Sequence, residues 1–305
     1  MELTTELKAL FRSLRHRNFR LFWSGQLVSL IGTWMQTVAQ AWLVLELTQS
    51  SIKLGVVSAL QFLPMLFLSF FTGPFIDYLP KRKIIIGTQV VLMALAFILA
   101  LLVWTGSVRY WHIVILATLL GVVNTIDMPA RQSYLIELVG KEDLMNAIAL
   151  NSSIFNAARA IGPAVAGILI TAAGTAFCFF VNGLSYIAVI AGLLAMTVET
   201  PVRKEPVSFD VLKDMGEAIR SIRKTPILLT TISLVAVVSV FGVNFNVLVP
   251  VFTRQELHLD AAAFGFRMSS FGAGALIGSI SLAVMSRLGP KPAVLLGGGM
   301  GLSIF

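Results

Sequence analysis

Run after run of this chain is long, apolar and nearly free of charge, and that recurrence limits what it can fold into. Such segments occupy about 19–46, 53–77, 84–105, 110–129, 145–171, 175–197, 226–252 and 262–286, and a ninth opens near 292. About 20 apolar residues suffice for a helix to cross the hydrocarbon of a bilayer. Inside lipid, backbone N–H and C=O groups must be satisfied within the segment, so these runs are read as helices. Composition agrees, with 57% of residues hydrophobic and only 12% charged, roughly half the charge of an ordinary soluble chain. The expected class is an all-α polytopic membrane protein.

The basic residues orient it. With the N-terminus in the cytoplasm, 18 of the 23 Lys and Arg fall on the cytoplasmic side. Lys53, Arg109, Arg254 and Arg267 fall on the other, and Arg159 lies inside a span. This positive-inside bias predicts a plasma-membrane protein with a cytoplasmic N-terminus. The net charge of +8 then has the lipid bilayer, through anionic headgroups, as its partner, and not nucleic acid. The first residues lack the short apolar core of a cleaved signal peptide. The organisation predicted is a cytoplasmic segment at 1–18, six spans over 19–197, a charged and proline-bearing cytoplasmic linker at 198–225, and further spans over 226–305. The ninth run meets Phe305 before it is long enough to cross, so the chain is expected to stop inside a helix. The two sides of the linker resemble each other weakly: Leu54-Gly55 matches Phe264-Gly265, and the basic turn after Asp77 matches that after Ser286. A parallel repeat of six-helix halves, with binding at their interface, is a known transporter plan.

Polar groups within the spans are the functional candidates. Asp127 and Arg159 are charges in apolar surroundings, which are costly and mark sites by default. Asp127 is open to three readings: a gate, a proton site or a helix-end charge. Arg159 lies about 21 Å into its span at about 1.5 Å per residue, too deep to reach water at the membrane surface. It is either a substrate or carboxylate contact or a clamp between helices. Gln26, Ser29, Thr33, Gln36 and Gln40 recur in steps of three and four, which puts them on one stripe of the first span. The stripe is expected to line a cavity, with helix–helix hydrogen bonding as the alternative. Glu46 is a weaker candidate for proton contact. Gly265, Gly272, Gly274 and Gly278 permit close helix approach. Cys178 is the single cysteine, a structural thiol that excludes an internal disulfide. His16, His112 and His258 are far apart in sequence, and no metal site is expected. The chain has no phosphate-binding loop and no nucleophile–base pair. It is read as a non-enzyme without cofactors, driven by an ion gradient.

Several of these motifs carry a resemblance. The turn Gly73-Pro-Phe-Ile-Asp77-Tyr-Leu-Pro-Lys81-Arg82 resembles the loop 2–3 signature of the major facilitator superfamily, with Tyr78 where a basic residue is usual and Pro80 where a glycine is. Asn124-Thr-Ile-Asp127-Met-Pro129-Ala-Arg131-Gln132 and Arg159-Ala-Ile-Gly162-Pro163-Ala-Val-Ala-Gly167 are similar to the enterobactin-exporter-like, drug:proton antiporter branch. The resemblance implies a major facilitator fold, with a complete N-terminal six-helix bundle and a partial C-terminal one. It implies export of small molecules, drug-like or siderophore-like, in exchange for protons by alternating access in a monomer. It also implies a cytoplasmic gate of Gly73, Asp77, Lys81, Arg82, Asp127 and Arg131, with Asp77, one of the two basic residues and Asp127 in one charge cluster. Arg159, Gly162, Pro163 and Gly167 would form the antiporter element. A membrane fragment, sensor or scaffold that keeps the fold without transport is the alternative.

Overall fold

The computed structural model describes residues 11–77, 79–197, 220–221, 223–242 and 244–286, less the side chains of 70, 71, 73–75, 77, 235, 236, 238–242, 276 and 278–286. Outside the described residues lie Tyr78, the start of the N-terminal segment, most of the linker, the turn after Ser286 and the ninth span; the side chain of Asp77 and the surroundings of Gly73 and Gly278 do so too.

A 3-10 turn at Arg12–Arg15 leads into α1 (Arg17–Thr48), followed by α2 (Ser51–Asp77), α3 (Lys81–Trp104), α4 (Tyr110–Ala173) and α5 (Thr175–Leu194). After the linker come α6 (Pro226–Gly242), α7 (Phe245–Val251), a π-helical turn at Phe252–Glu256 and α8 (Ala261–Ser286). Among the described residues, α1, α2 over Ser51–Ser69, α3, α4 and α5 are long and apolar enough to cross a membrane. Large side chains such as Ile52, Phe62, Leu66, Leu101 and Ile168 stay exposed on their outer faces, as a lipid-solvated surface requires.

Two expectations are corrected. The stretch left between the fourth and fifth runs, 130–144, is helical and not a polar loop between spans: α4 continues to Val139, breaks at Gly140 and resumes at once. Ala130, Tyr134, Leu135, Leu138 and Val139 are buried along one face there, packing with Phe19, Phe22, Ile85 and Leu193. Arg131 and Glu137, largely buried in ion pairs, interrupt the apolar pattern of this helix in the sequence. Gly140 has φ 73, left-handed backbone that glycine adopts without steric cost. The chain reverses at this point. Leu120 and Phe155 line one cavity, yet a straight helix would hold them about 50 Å apart. The second correction concerns the seventh run, 226–252. It is two helices, with Asn244 capping α7.

The second arm of α4 is held between α1 and α8 by glycines. A Cβ on Gly162 would lie 2.6 Å from Trp34 Cβ, and one on Gly167 would lie 2.9 Å from Ala261 O. From α8, Gly265 abuts the Pro163 carbonyl, and Gly272 would place a Cβ 2.6 Å from Ala160 Cα. Pro163 has no N–H, so the Arg159 carbonyl one turn earlier loses its helical partner. That carbonyl faces Gly272, and Ser269 Oγ donates to the neighbouring Ala160 carbonyl. The antiporter-like element is thus a packing seam.

Gly272→Val should therefore destabilise the protein by about 1–3 kcal/mol through overpacking, read as a lower melting temperature in detergent. Gly274→Ala is the control, because a Cβ there meets nothing within 4 Å.

Candidate functional site

Between α1, α3, α5 and both arms of α4 lies a cavity of about 570 Å³. Its floor is built by local helix periodicity. Gln26, Ser29 and Thr33 point into it from α1, Gln89 and Leu92 from α3, and Asn124, Asp127 and Arg131 from the first arm of α4. The second arm adds Asn151, Ser152, Phe155 and Asn156, and α5 adds Tyr186. The spacing of the second-arm residues repeats the rule that placed the stripe on α1: side chains three and four apart share a face.

The stripe on α1 divides. Gln26, Ser29 and Thr33 line the cavity. Gln36 turns instead to α5, where its Oε1 accepts from Asn182 Nδ2 at 2.6 Å. Gln40 donates to Gln61 Oε1 at 3.1 Å, beside a smaller cavity of about 150 Å³ between α1 and α2. The stripe thus borders a cavity at one end and makes helix–helix hydrogen bonds at the other.

Asp127 is 5% exposed and fully engaged. Its Oδ1 accepts from Thr88 Oγ1 at 2.5 Å and Gln89 Nε2 at 3.0 Å, and its Oδ2 from Arg131 Nε at 2.6 Å. Arg131 also lies 5.9 Å from the centre of the Phe22 ring. A buried carboxylate is tolerable when a cation and further donors compensate it, and here one helical turn supplies the cation while α3 supplies the rest. Thr88 and Gln89 escaped the sequence reading. Their signal was a lone polar pair in the otherwise apolar run of α3.

The expected cluster of Asp77, Lys81 or Arg82 and Asp127 is not what the described residues form. Lys81 Nζ bonds Glu137 Oε1 at 2.7 Å, and Arg82 donates to the Leu194 carbonyl at 3.1 Å. The reason is reach. Glu137 lies ten residues, about 15 Å, farther along the helix than Asp127, so it is the acid near the α2–α3 turn. At the same end Asp143 gathers Arg12 Nε at 2.7 Å, Arg15 Nη2 at 2.9 Å and His16 Nε2 at 2.7 Å. Ser13 Oγ donates to the Asp143 carbonyl, fastening the N-terminal turn to the bend of α4. Arg159 does not line the cavity. Its guanidinium lies 5.6 Å from the centre of the Trp34 ring, at the seam with α1. Glu46 is exposed near the far end of α1.

Arg131→Met would strand the Asp127 carboxylate. We expect a loss of about 3–5 kcal/mol, the usual penalty for breaking a buried pair from one side. Asp127→Asn combined with Arg131→Met should restore most of it. Thermal unfolding of the purified single and double variants checks this, and equal melting temperatures for the two would contradict it.

Comparison with known proteins bears on this architecture. The family described as transmembrane secretion effector matches residues 8–303. The chain is 26% identical over 270 residues to the staphyloferrin A transporter of Staphylococcus aureus, covering 86% of this chain and 66% of that protein. It is 27% identical over 277 residues to the multidrug efflux pump Tap of Mycolicibacterium fortuitum, covering 87% and 66%. It is 23% identical over 267 residues to macrolide efflux protein A of Streptococcus pyogenes, covering 87% and 65%. The chain thus spans just under two thirds of the length of these curated relatives. With a helical membrane architecture and a family match along nearly its whole length, the chain belongs to the transmembrane secretion effector family of the major facilitator superfamily.

Proposed function

We propose that this chain is a secondary transporter that exports small molecules across the plasma membrane by alternating access in exchange for protons. The observation that carries the reading is the buried Asp127–Arg131 pair on the wall of a cavity of about 570 Å³ inside an apolar helical bundle. Relatives named for siderophore transport, multidrug efflux and macrolide efflux support it. The bias of 18 basic residues to one side supports a cytoplasmic N-terminus.

In this reading Asp127 is the coupling carboxylate. Ionised, it holds Arg131 by a charge-assisted bond. A proton taken up at Oδ2 cancels the attraction and releases the guanidinium towards Phe22 and the cavity. One such contact, made in one conformer and lost in the other, biases a two-state equilibrium. Lys81 and Glu137 act as the latch at the α2–α3 turn, with Gly73, Asp77 and Arg82 alongside, and Arg159 with Gly162, Pro163 and Gly167 forms the bearing on which the halves meet. The domain plan proposed is a monomer with an N-terminal bundle over 19–197 joined by the 198–225 linker to the spans of 226–305.

Proteoliposomes carrying the full chain, loaded with ethidium and given a pH gradient, test this. The expected result is gradient-driven ethidium movement that falls at least tenfold in Asp127→Asn and persists in Glu46→Gln. Movement unaffected by Asp127→Asn would remove the coupling role. No gradient-driven movement by the wild type would overturn the transport reading.

A further inference from the structure

We infer that Arg254, set against Trp42, is the lock that holds the outer end of the molecule closed, and that this contact breaks each time the cavity turns outward; the inference rests on the orientation and the alternating-access reading given above. Trp42 stands sixteen residues beyond Gln26 on α1, about 24 Å farther from the cytoplasmic end at about 1.5 Å per residue. There the two sides of the linker meet. The Arg254 guanidinium lies 4.7 Å from the centre of the Trp42 ring. Trp42 also stacks on Phe264 of α8, with ring centres 6.0 Å apart and planes inclined by 19°. Beside them Gln255 Nε2 donates to the carbonyl of Gln49, just past the end of α1, at 3.2 Å. The cavity of about 570 Å³ takes from α1 only residues between Phe22 and Thr33, so it lies on the cytoplasmic side of this contact.

Arg254 is presented by a braced element. It sits in the π-helical turn Phe252–Glu256 between α7 and α8, a rare geometry that recurs at functional sites. The preceding residue, Thr253, is fully buried, and its Oγ1 accepts from Arg267 Nη1 of α8 at 3.2 Å. Arg267 thus ties the turn to α8 within its own half, whereas Arg254 reaches across to α1. The described acids at this end, Glu46, Glu256 and Asp260, are exposed. Arg254 Nη1 is buried without a hydrogen-bond partner among the described residues, so it is the ring of Trp42 that meets the charge. An aromatic face attracts a cation only at short range, so the contact is made or lost as a unit when the halves part. Its gain is modest, and the unpaired N–H regains water when the end opens. Closed and open forms of this end therefore stay near each other in energy, as a gate requires.

Outward opening is read in right-side-out membrane vesicles that carry the full chain with Thr37→Cys. Thr37 lines the smaller cavity between α1 and α2, five residues to the cytoplasmic side of Trp42. The probe is the membrane-impermeant reagent 2-(trimethylammonium)ethyl methanethiosulfonate, added outside; Cys178 is buried and gives the background. Arg254→Met should raise the rate of modification about tenfold, the order expected when one desolvated cation–π contact is lost. Trp42→Leu should do the same, and serves as the second variant if the first fails to fold. The two together should add less than about twofold more, because they remove the same contact. Arg254→Lys and Trp42→Phe keep a cation and a ring and should stay within about threefold of the parent. Unchanged rates in the folded Arg254→Met and Trp42→Leu variants, or equal acceleration by the conservative pair, would overturn the lock. Acceleration in a chain that moves no ethidium under a pH gradient would support the lock and overturn the transport reading, so the two fail separately.

Discussion

The rest of the molecule depends on how closely the second arm of α4 lies against its neighbours. Where it crosses α1 it presents Gly162, and where it crosses α8 it presents Gly167 to Ala261 and Ala262. Gly265 and Gly272 answer from the opposite side. Lipid offers helices no hydrophobic reason to associate, so van der Waals contact between backbones supplies much of the attraction. With the backbones this close, Trp34, Phe155 and Arg159 are left to form an aromatic and cationic border at the seam. The first arm, on the other side of the Gly140 reversal, is then free to wall the cavity with Asn124, Asp127 and Arg131.

Charge is distributed by the same economy of contact. The described carboxylates of α4 each have a cation at hand: Glu137 has Lys81, Glu142 has Arg12, Asp143 has Arg12 and Arg15, and, deeper, Asp127 has Arg131. Yet the depth of the pairs differs. Arg12 and Arg15 are about half exposed, whereas Lys81 and Arg131 are each little more than a tenth exposed. Exposed pairs are screened and contribute little, so the N-terminal clasp depends on the buried Ser13 and its bonds to the bend as much as on its charges. The two buried pairs are the ones that solvent screens least.

The helices were legible because a period of 3.6 and a length of about 20 residues are local properties of the sequence. The α1 stripe and the Gly162–Gly167 element were legible for the same reason. What escaped were relations across the reversal at Gly140. Composition alone could not show that residues 130–139 continue a helix, because Arg131 and Glu137 share that stretch with the buried Tyr134 and Leu138. Taking it for a loop placed Asp127 at the helix end and made it the partner of Lys81. Ten more helical residues move that role to Glu137 and set Asp127 deep beside Thr88 and Gln89. Likewise Gln36 left the cavity because of Asn182, a partner 146 positions away.

This displacement changes the chemistry assigned to the centre. An acid at the membrane surface is a latch, governed by basic neighbours and salt. An acid one turn from an arginine, and bridged to a second helix by a hydroxyl and an amide, is a polarised network. It is held by its burial, by Arg131 and by the two neutral donors. Each responds to a different movement: the first to opening of the cavity, the second to rotation within the first arm, the third to sliding of α3. A carboxylate held in three ways at once ties these movements together, because none of them can occur without altering one of its contacts.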